Sequence, residues 1–114
     1  MIQYNINGQI YSCEIHQQQE QLPYLLMLHG FMGDRRVYGH LIEEVTSFCN
    51  PITLDLLGFG ESSKPSDPER YQVEHQVLDV RQLMNRLPCN SLFLHGYSMG
   101  GRLALQLALQ HQEL

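Results

Sequence analysis

Basic residues are scarce in this chain of 114 residues: seven Lys and Arg stand against twelve Asp and Glu, a net charge of −5. With no basic stripe to neutralise phosphates, the sequence argues against nucleic acid as a partner. No Lys or Arg precedes Arg35 and the amino end has no apolar core segment, so no secretory signal is expected. Long apolar runs are missing as well. The longest, at residues 24–28, is far too short to span a bilayer. Cys13, Cys49 and Cys89 are odd in number, widely spaced and without a Cys-x-x-Cys pair. They are expected to be reduced, partly buried thiols of a cytoplasmic protein, forming neither a disulfide frame nor a zinc site. What remains is a globular composition, long enough for one small domain with a modest core.

Ile2, Tyr4 and Ile6 alternate with polar residues, as do Tyr11, Cys13 and Ile15, and Asn7-Gly8 lies between the two runs. This predicts an opening antiparallel hairpin. Tyr24-Leu25-Leu26-Met27-Leu28 is apolar without alternation, as expected of a strand buried on both faces. Asp34 is placed to cap a helix reaching about Phe48, with Val37, Leu41 and Val45 on one face. Ile52-Thr53-Leu54 reads as a third strand, and the prolines at 65 and 68 mark a loop. Val73, Val77, Val80, Met84 and Leu87 repeat at helical spacing before Pro88. Leu92-Phe93-Leu94 is a further strand, and residues 103–112 form a final helix. Strand and helix thus alternate after the hairpin, which predicts an α/β layered fold in a single domain.

The chemistry concentrates at Gly96-Tyr97-Ser98-Met99-Gly100-Gly101-Arg102. Gly-x-Ser-x-Gly between an apolar strand and a helix places a serine on a sharp, strained turn with its hydroxyl exposed above the sheet. Ser98 is the candidate nucleophile or base. His29-Gly30-Phe31 also ends a buried strand; paired with this turn, the Phe31 and Met99 amides are candidates for an oxyanion hole. His29 and His95 end parallel strands and read as hydrogen-bonded structural residues, because no third metal ligand has suitable spacing. His16, His40, His75 and His111 read as surface or loop residues. Gly58-x-Gly60-x-x-Ser63 has no helix to receive a pyrophosphate and reads as a structural turn in which Asp55 bonds local amides. Arg102, one helical turn after Ser98, is either a surface arginine or a clamp for a substrate carboxylate.

Leu28-His29-Gly30-Phe31, Asp55-Leu56-Leu57-Gly58-Phe59-Gly60-Glu61-Ser62 and the serine turn together resemble the α/β-hydrolase family, across essentially the whole chain. Leu57 and Phe59 stand where that family commonly has proline and histidine. Tyr97-Ser98 with Gly100-Gly101-Arg102 most resembles the branch that eliminates pyruvate from a carboxylate-rich precursor in menaquinone biosynthesis. The resemblance implies Ser98 as the catalytic serine, Tyr97 and Arg102 as contacts to a small anionic substrate, and no cofactor or metal. It also implies a triad in the order serine, acid, histidine. His111 is more than three helical turns from Ser98 and, like Glu113, lies on the helix that follows it, so neither can serve. Residues 1–114 are therefore expected to be the amino-terminal part of a longer domain, with the strand before Ser98 left as an open edge. Three functions stay open: the menaquinone-pathway lyase, a carboxylic-ester or carbon–carbon bond hydrolase, and a non-catalytic binding module.

Overall fold

Asn7 and Gly8 take left-handed backbone angles, φ +52° and +82°. Two successive positive φ values give the turn whose twist suits an antiparallel pair. It joins β1 (Ile2–Ile6) to β2 (Gln9–Ile15), in register from Ile2 opposite Cys13 to Ile6 opposite Gln9. The computed structural model describes residues 1–110, so His111 and Glu113 lie outside the described residues.

Three further strands complete one sheet: β3 (Tyr24–Leu28), β4 (Asn50–Leu54) and β5 (Phe93–Gly96). Their order is β1-β2-β4-β3-β5, with β2 antiparallel to β4 and both β4 and β5 parallel to β3. β4 is buried along its whole length, polar Asn50 and Thr53 included, as its central place requires. β5 borders the sheet, and Phe93 is exposed there. The expected hairpin and parallel strands are therefore present in this α/β fold, with the strand before Ser98 at an edge of the described sheet.

α2 (Val73–Arg86) and α3 (Met99–Gln110) supply most of the helical cover. Val77, Val80, Leu83 and Met84 of α2 meet Leu103 and Leu107 of α3 over Leu26, Leu28, Ile52 and Leu54 of the sheet. α2 lines its buried apolar residues along one stripe, whereas α3 is apolar on more than one face, with Leu103 and Leu107 buried and Leu105 and Leu109 exposed. The crossover after β3 departs from expectation. In place of one helix from Asp34 to Phe48 there is a 3-10 turn, Arg35–Tyr38, and then α1 (Gly39–Val45). Asp34 does cap, accepting from the Arg36 amide at 2.9 Å, but what it caps is the 3-10 turn. Tyr38 then interrupts the helix at φ −90°, ψ 1°, held by its hydroxyl bond to the Leu28 carbonyl at 2.8 Å. Three residues per turn shift the apolar face, so Val37 is exposed while Leu41 and Val45 are half-buried.

The cysteines are free, Cys13 and Cys49 buried and Cys89 half-buried. Burial pushes the Cys13 thiol up to about 11 and raises the other two as well, so all three stay protonated near neutrality. Among the described residues no helix is long and apolar enough to cross a membrane.

Asp79 of α2 is buried and accepts from the Tyr11 hydroxyl (2.7 Å), the Asn7 amide (2.9 Å) and Arg70 Nη2 (2.8 Å). Burial and the Asp79 bond push the Tyr11 hydroxyl far above its usual range, so it remains a donor. Asp79→Ala strands all three donors and should cost about 3 kcal/mol, read from urea unfolding; a loss within experimental error would show that the hairpin does not depend on this carboxylate. His16 is half-buried, with Nε2 at 2.8 Å from Thr53 Oγ1, and burial holds its pKa below the ordinary 6.5. The unfolded chain therefore takes up the proton first. The contribution of His16 to stability is complete above pH 6.5 and is lost as pH falls through its lowered folded value. Urea midpoints should fall further in the parent than in His16→Gln between about pH 7.5 and about pH 5. Identical falls would remove His16 from the acid response.

Candidate active site

Three loops meet at the carboxyl ends of β3, β4 and β5. The first, His29-Gly30-Phe31-Met32-Gly33, closes as a tight turn, with the Gly33 amide donating to the Gly30 carbonyl at 3.1 Å. Met32 takes φ +68°, a left-handed angle unusual for a residue with a side chain, and is largely exposed. Phe31 beside it is 69% exposed. The second loop follows β5. Ser98 sits at φ +55° between the end of β5 at Gly96 and the start of α3 at Met99, with its side chain exposed. The strained strand-to-helix turn expected for Ser98 is present.

Glycine is required around this turn for a measurable reason. A Cβ on Gly96 would lie 2.3 Å from the Gly100 carbonyl oxygen, and one on Gly100 would lie 2.2 Å from the Leu28 oxygen and 2.5 Å from the His29 oxygen. α3 therefore starts four residues earlier than its apolar run, carrying Gly100 and Gly101 in its first turn despite their poor helix propensity. The Tyr97 amide donates to the Leu28 carbonyl at 3.1 Å, and the Tyr97 ring lies over Gly30, where a Cβ would stand 2.9 Å from Cδ2. Phe31 and Met99 thus belong to neighbouring loops at one edge of the sheet. Among the described residues, neither amide donates to a protein acceptor.

The third loop follows β4 and is organised by Asp55, which is fully buried. Its carboxylate accepts from the Glu61 amide at 3.0 Å, the expected local bond, and beyond that expectation from the Arg35 amide at 2.7 Å and the Arg35 guanidinium. Arg35 continues to Glu14 at 2.9 Å. Gly60 has φ +55° and would place a Cβ 2.3 Å from the Asp55 carboxyl carbon, so this motif is a packed turn. No local sequence pattern pairs Arg35 with Asp55; the pairing follows from the burial of the carboxylate, which demands a cation. Asp34 beside it is held down at about 2 by its bonds to the Arg36 side chain.

The two strand-end histidines divide. His29 is buried, with Nε2 accepting from the Leu56 amide at 2.9 Å and Nδ1 at 2.8 Å from the Gly30 carbonyl. His95 is exposed and stacks edge-on against Tyr38 at 5.4 Å. Both nitrogens of His29 are occupied, so the two histidines do not bond each other. Among the described residues, no histidine nitrogen is hydrogen-bonded to Ser98 Oγ, and no three His, Cys, Asp or Glu side chains converge as metal ligands. Tyr97 is 68% exposed. Arg102, whose amide donates to the Ser98 carbonyl at 3.0 Å, lines an open depression of about 330 Å³ with Val73, Glu74 and Leu105. A smaller one, of about 140 Å³, joins Arg102 to Met99 and Tyr71. Arg102 makes no ion pair among the described residues, whereas Arg35, Arg36 and Arg70 all do.

A serine on a strained strand-to-helix turn, flanked by a second strand-end loop, defines a class. The sequence profile of the alpha/beta hydrolase fold matches residues 23–114, and the chain belongs to that family. Among its relatives is a Bacillus subtilis (strain 168) protein provisionally named 2-succinyl-6-hydroxy-2,4-cyclohexadiene-1-carboxylate synthase. It is 36% identical over 89 residues, covering 78% of this chain and 32% of that protein. Mouse (Mus musculus) epoxide hydrolase 4 is 30% identical over 92 residues, covering 81% of this chain and 26% of its own length. Among solved structures, a mutant epoxide hydrolase from Bacillus megaterium in complex with its product matches with a TM-score of 0.87 at 29% identity. That match covers 98% of this chain and 38% of the other. The chain spans a third or less of the length of these curated relatives.

Gly100→Ala tests the backbone contact under the serine. With a Cβ only 2.2 Å from the Leu28 oxygen, either α3 or β3 has to move. The variant should lose about 3 kcal/mol or more of stability, or fail to accumulate as folded protein. An unshifted melting temperature would mean that α3 does not approach β3 this closely.

Proposed function

We propose that Ser98 is the reacting hydroxyl of a serine-based α/β-hydrolase site, with the amides of Phe31 and Met99 as its oxyanion hole. The observation that carries this reading is the left-handed φ of Ser98 at the β5–α3 turn, with an exposed side chain over tightly packed glycines. Unpartnered amides on the two adjoining loops support the oxyanion role. In this reading the acid and histidine of the triad come from outside the described residues. His29 cannot supply the base, since both of its nitrogens are engaged.

The reaction proposed is elimination of pyruvate from 2-succinyl-5-enolpyruvyl-6-hydroxy-3-cyclohexene-1-carboxylate, a step of menaquinone biosynthesis. Its support is the similarity to the Bacillus subtilis protein together with an arginine one helical turn from Ser98 that has no ion-pair partner among the described residues. Activated by the base, Ser98 takes a ring proton. The freed pair forms a double bond to the adjacent ring carbon, the existing ring double bond shifts by one position, and that shift expels the enolpyruvyl oxygen, whose charge the two amides stabilise; the released enolate takes up a proton and becomes pyruvate. Arg102 and Tyr97 hold the carboxylates, for which a planar guanidinium is well suited. No cofactor is needed. A second reading, hydrolysis of a carboxylic ester or a carbon–carbon bond, is favoured by the hydrolase names among the relatives and by the exposed aromatic rings of Phe31 and Tyr97.

The two readings separate on substrate charge. In both, Ser98→Ala should abolish turnover. Arg102→Ala should lower kcat/KM for the polyanionic precursor by about ten- to a hundredfold, the loss of one charge-assisted hydrogen bond, and leave a neutral ester nearly unaffected. Equal losses on both substrates would make Arg102 structural and favour the esterase reading. Full activity in Ser98→Ala would end the serine-site proposal.

A further inference from the structure

The turn that carries Phe31 has a weakness. Met32 sits in a left-handed conformation that is costly for a residue with a side chain, and its own side chain, being exposed, gives that conformation little packing. Something outside the turn must hold it. The Gly30 carbonyl, which closes the turn by accepting from Gly33, has a second neighbour in His29 Nδ1 at 2.8 Å. The protonation state of this ring follows from its other contact. A backbone amide can only donate, so Nε2, which meets the Leu56 amide at 2.9 Å, is the bare nitrogen. The proton is then on Nδ1, and His29 donates to the Gly30 carbonyl. One neutral tautomer therefore ties the turn to the loop after β4.

The same loop holds the turn twice more. Phe59 sets its ring edge-on against His29 at 5.4 Å and against Phe31 at 5.7 Å. Asp55 accepts from the Arg35 amide just beyond the turn at 2.7 Å. The turn is thus anchored at its start by His29, at its tip by Phe59 and past its end by Asp55, all against the loop that follows β4.

We infer that His29 is a positioning residue: as the Nδ1–H tautomer, with Phe59 as its clamp, it fixes the Gly30–Gly33 turn and so the direction of the Phe31 amide. The catalytic half of this inference rests on the serine-site reading; the positioning half does not. If the amide is aimed by His29, removing the ring weakens stabilisation of developing charge while substrate binding changes little. A merely structural histidine would lower stability throughout the chain.

The test uses the full-length protein with His29→Leu and His29→Gln, the glutamine being able to accept from the Leu56 amide through Oε1. Imidazole nitrogen resonances of the parent should show His29 protonated at Nδ1 and bare at Nε2 near neutral pH. Amide hydrogen exchange at residues 30–34 should rise about tenfold in His29→Leu, while the β1–β2 hairpin keeps its protection. With p-nitrophenyl acetate as the probe, kcat should fall about tenfold with KM within about twofold, and His29→Gln should recover part of both losses. The inference is overturned by a proton on Nε2, by exchange rising equally across the chain, or by turn exchange and kcat both unchanged. Turnover that persists in Ser98→Ala would sink the serine-site reading alone, and the exchange and tautomer results would still decide the role of His29.

Discussion

The carbonyl of Leu28, where β3 stops, is the point on which the site depends. At the last residue of β3 this buried carbonyl must still find a partner. This one finds two: the Tyr97 amide from the loop after β5, and the Tyr38 hydroxyl from the crossover. Gly100 then closes against the same oxygen so tightly that no side chain fits between them. One main-chain atom therefore fixes the height of the serine turn and the point where the crossover helix breaks. Because the Tyr97 and Gly100 contacts use only main chain and the hydrogen of glycine, little rotamer freedom remains to blur the height of the serine turn; Tyr38 is the one side-chain partner.

Buried charge serves a different purpose. Asp55 and Asp79 are both sequestered, and each is paired with one arginine and further donors. Such pairs contribute little net stability, because desolvation offsets most of the attraction, yet breaking one is costly. Their value here is registration. Asp79 joins the opening hairpin to α2. Asp55 joins β4, the first crossover and, through Arg35, Glu14 of the hairpin. Hydrophobic burial alone would tolerate a small slide of these elements; a carboxylate with several directed donors does not.

Much of this was legible in the sequence wherever a local pattern met a local cause. Asn7-Gly8 demands two positive φ values and has them. Gly96 to Gly101 demands a strained serine over close backbones and has both. The failures come from partners distant in the chain. One helix was expected after Asp34 because Val37, Leu41 and Val45 share a helical face; the break at Tyr38 comes from a hydroxyl reaching back ten residues to β3. Asp79 lies between the buried Val77 and Val80 of α2, and its carboxylate is satisfied there by Tyr11 and Asn7, some seventy residues earlier. Arg35 and Arg36 are adjacent and chemically alike, yet Arg35 is largely buried while Arg36 is exposed. Periodicity reports which face is covered. It does not report what covers it.

The electrostatics of the proposed site follow from the same division. A chain of net charge −5 repels an anionic substrate at a distance, but at physiological ionic strength that field is screened within about 8 Å. Recognition of carboxylates must then come from close contact with a cation that is not already neutralised. Arg35, Arg36 and Arg70 are each bound to carboxylates and are unsuited to it. Arg102 is exposed, has no ion-pair partner among the described residues, and is fixed one turn from Ser98 by the helix that Gly100 seats against β3. The packing that strains the serine turn therefore also sets the distance between the hydroxyl and the cation. A substrate with a carboxylate at that distance from its reacting carbon gains from both; a neutral ester gains from one.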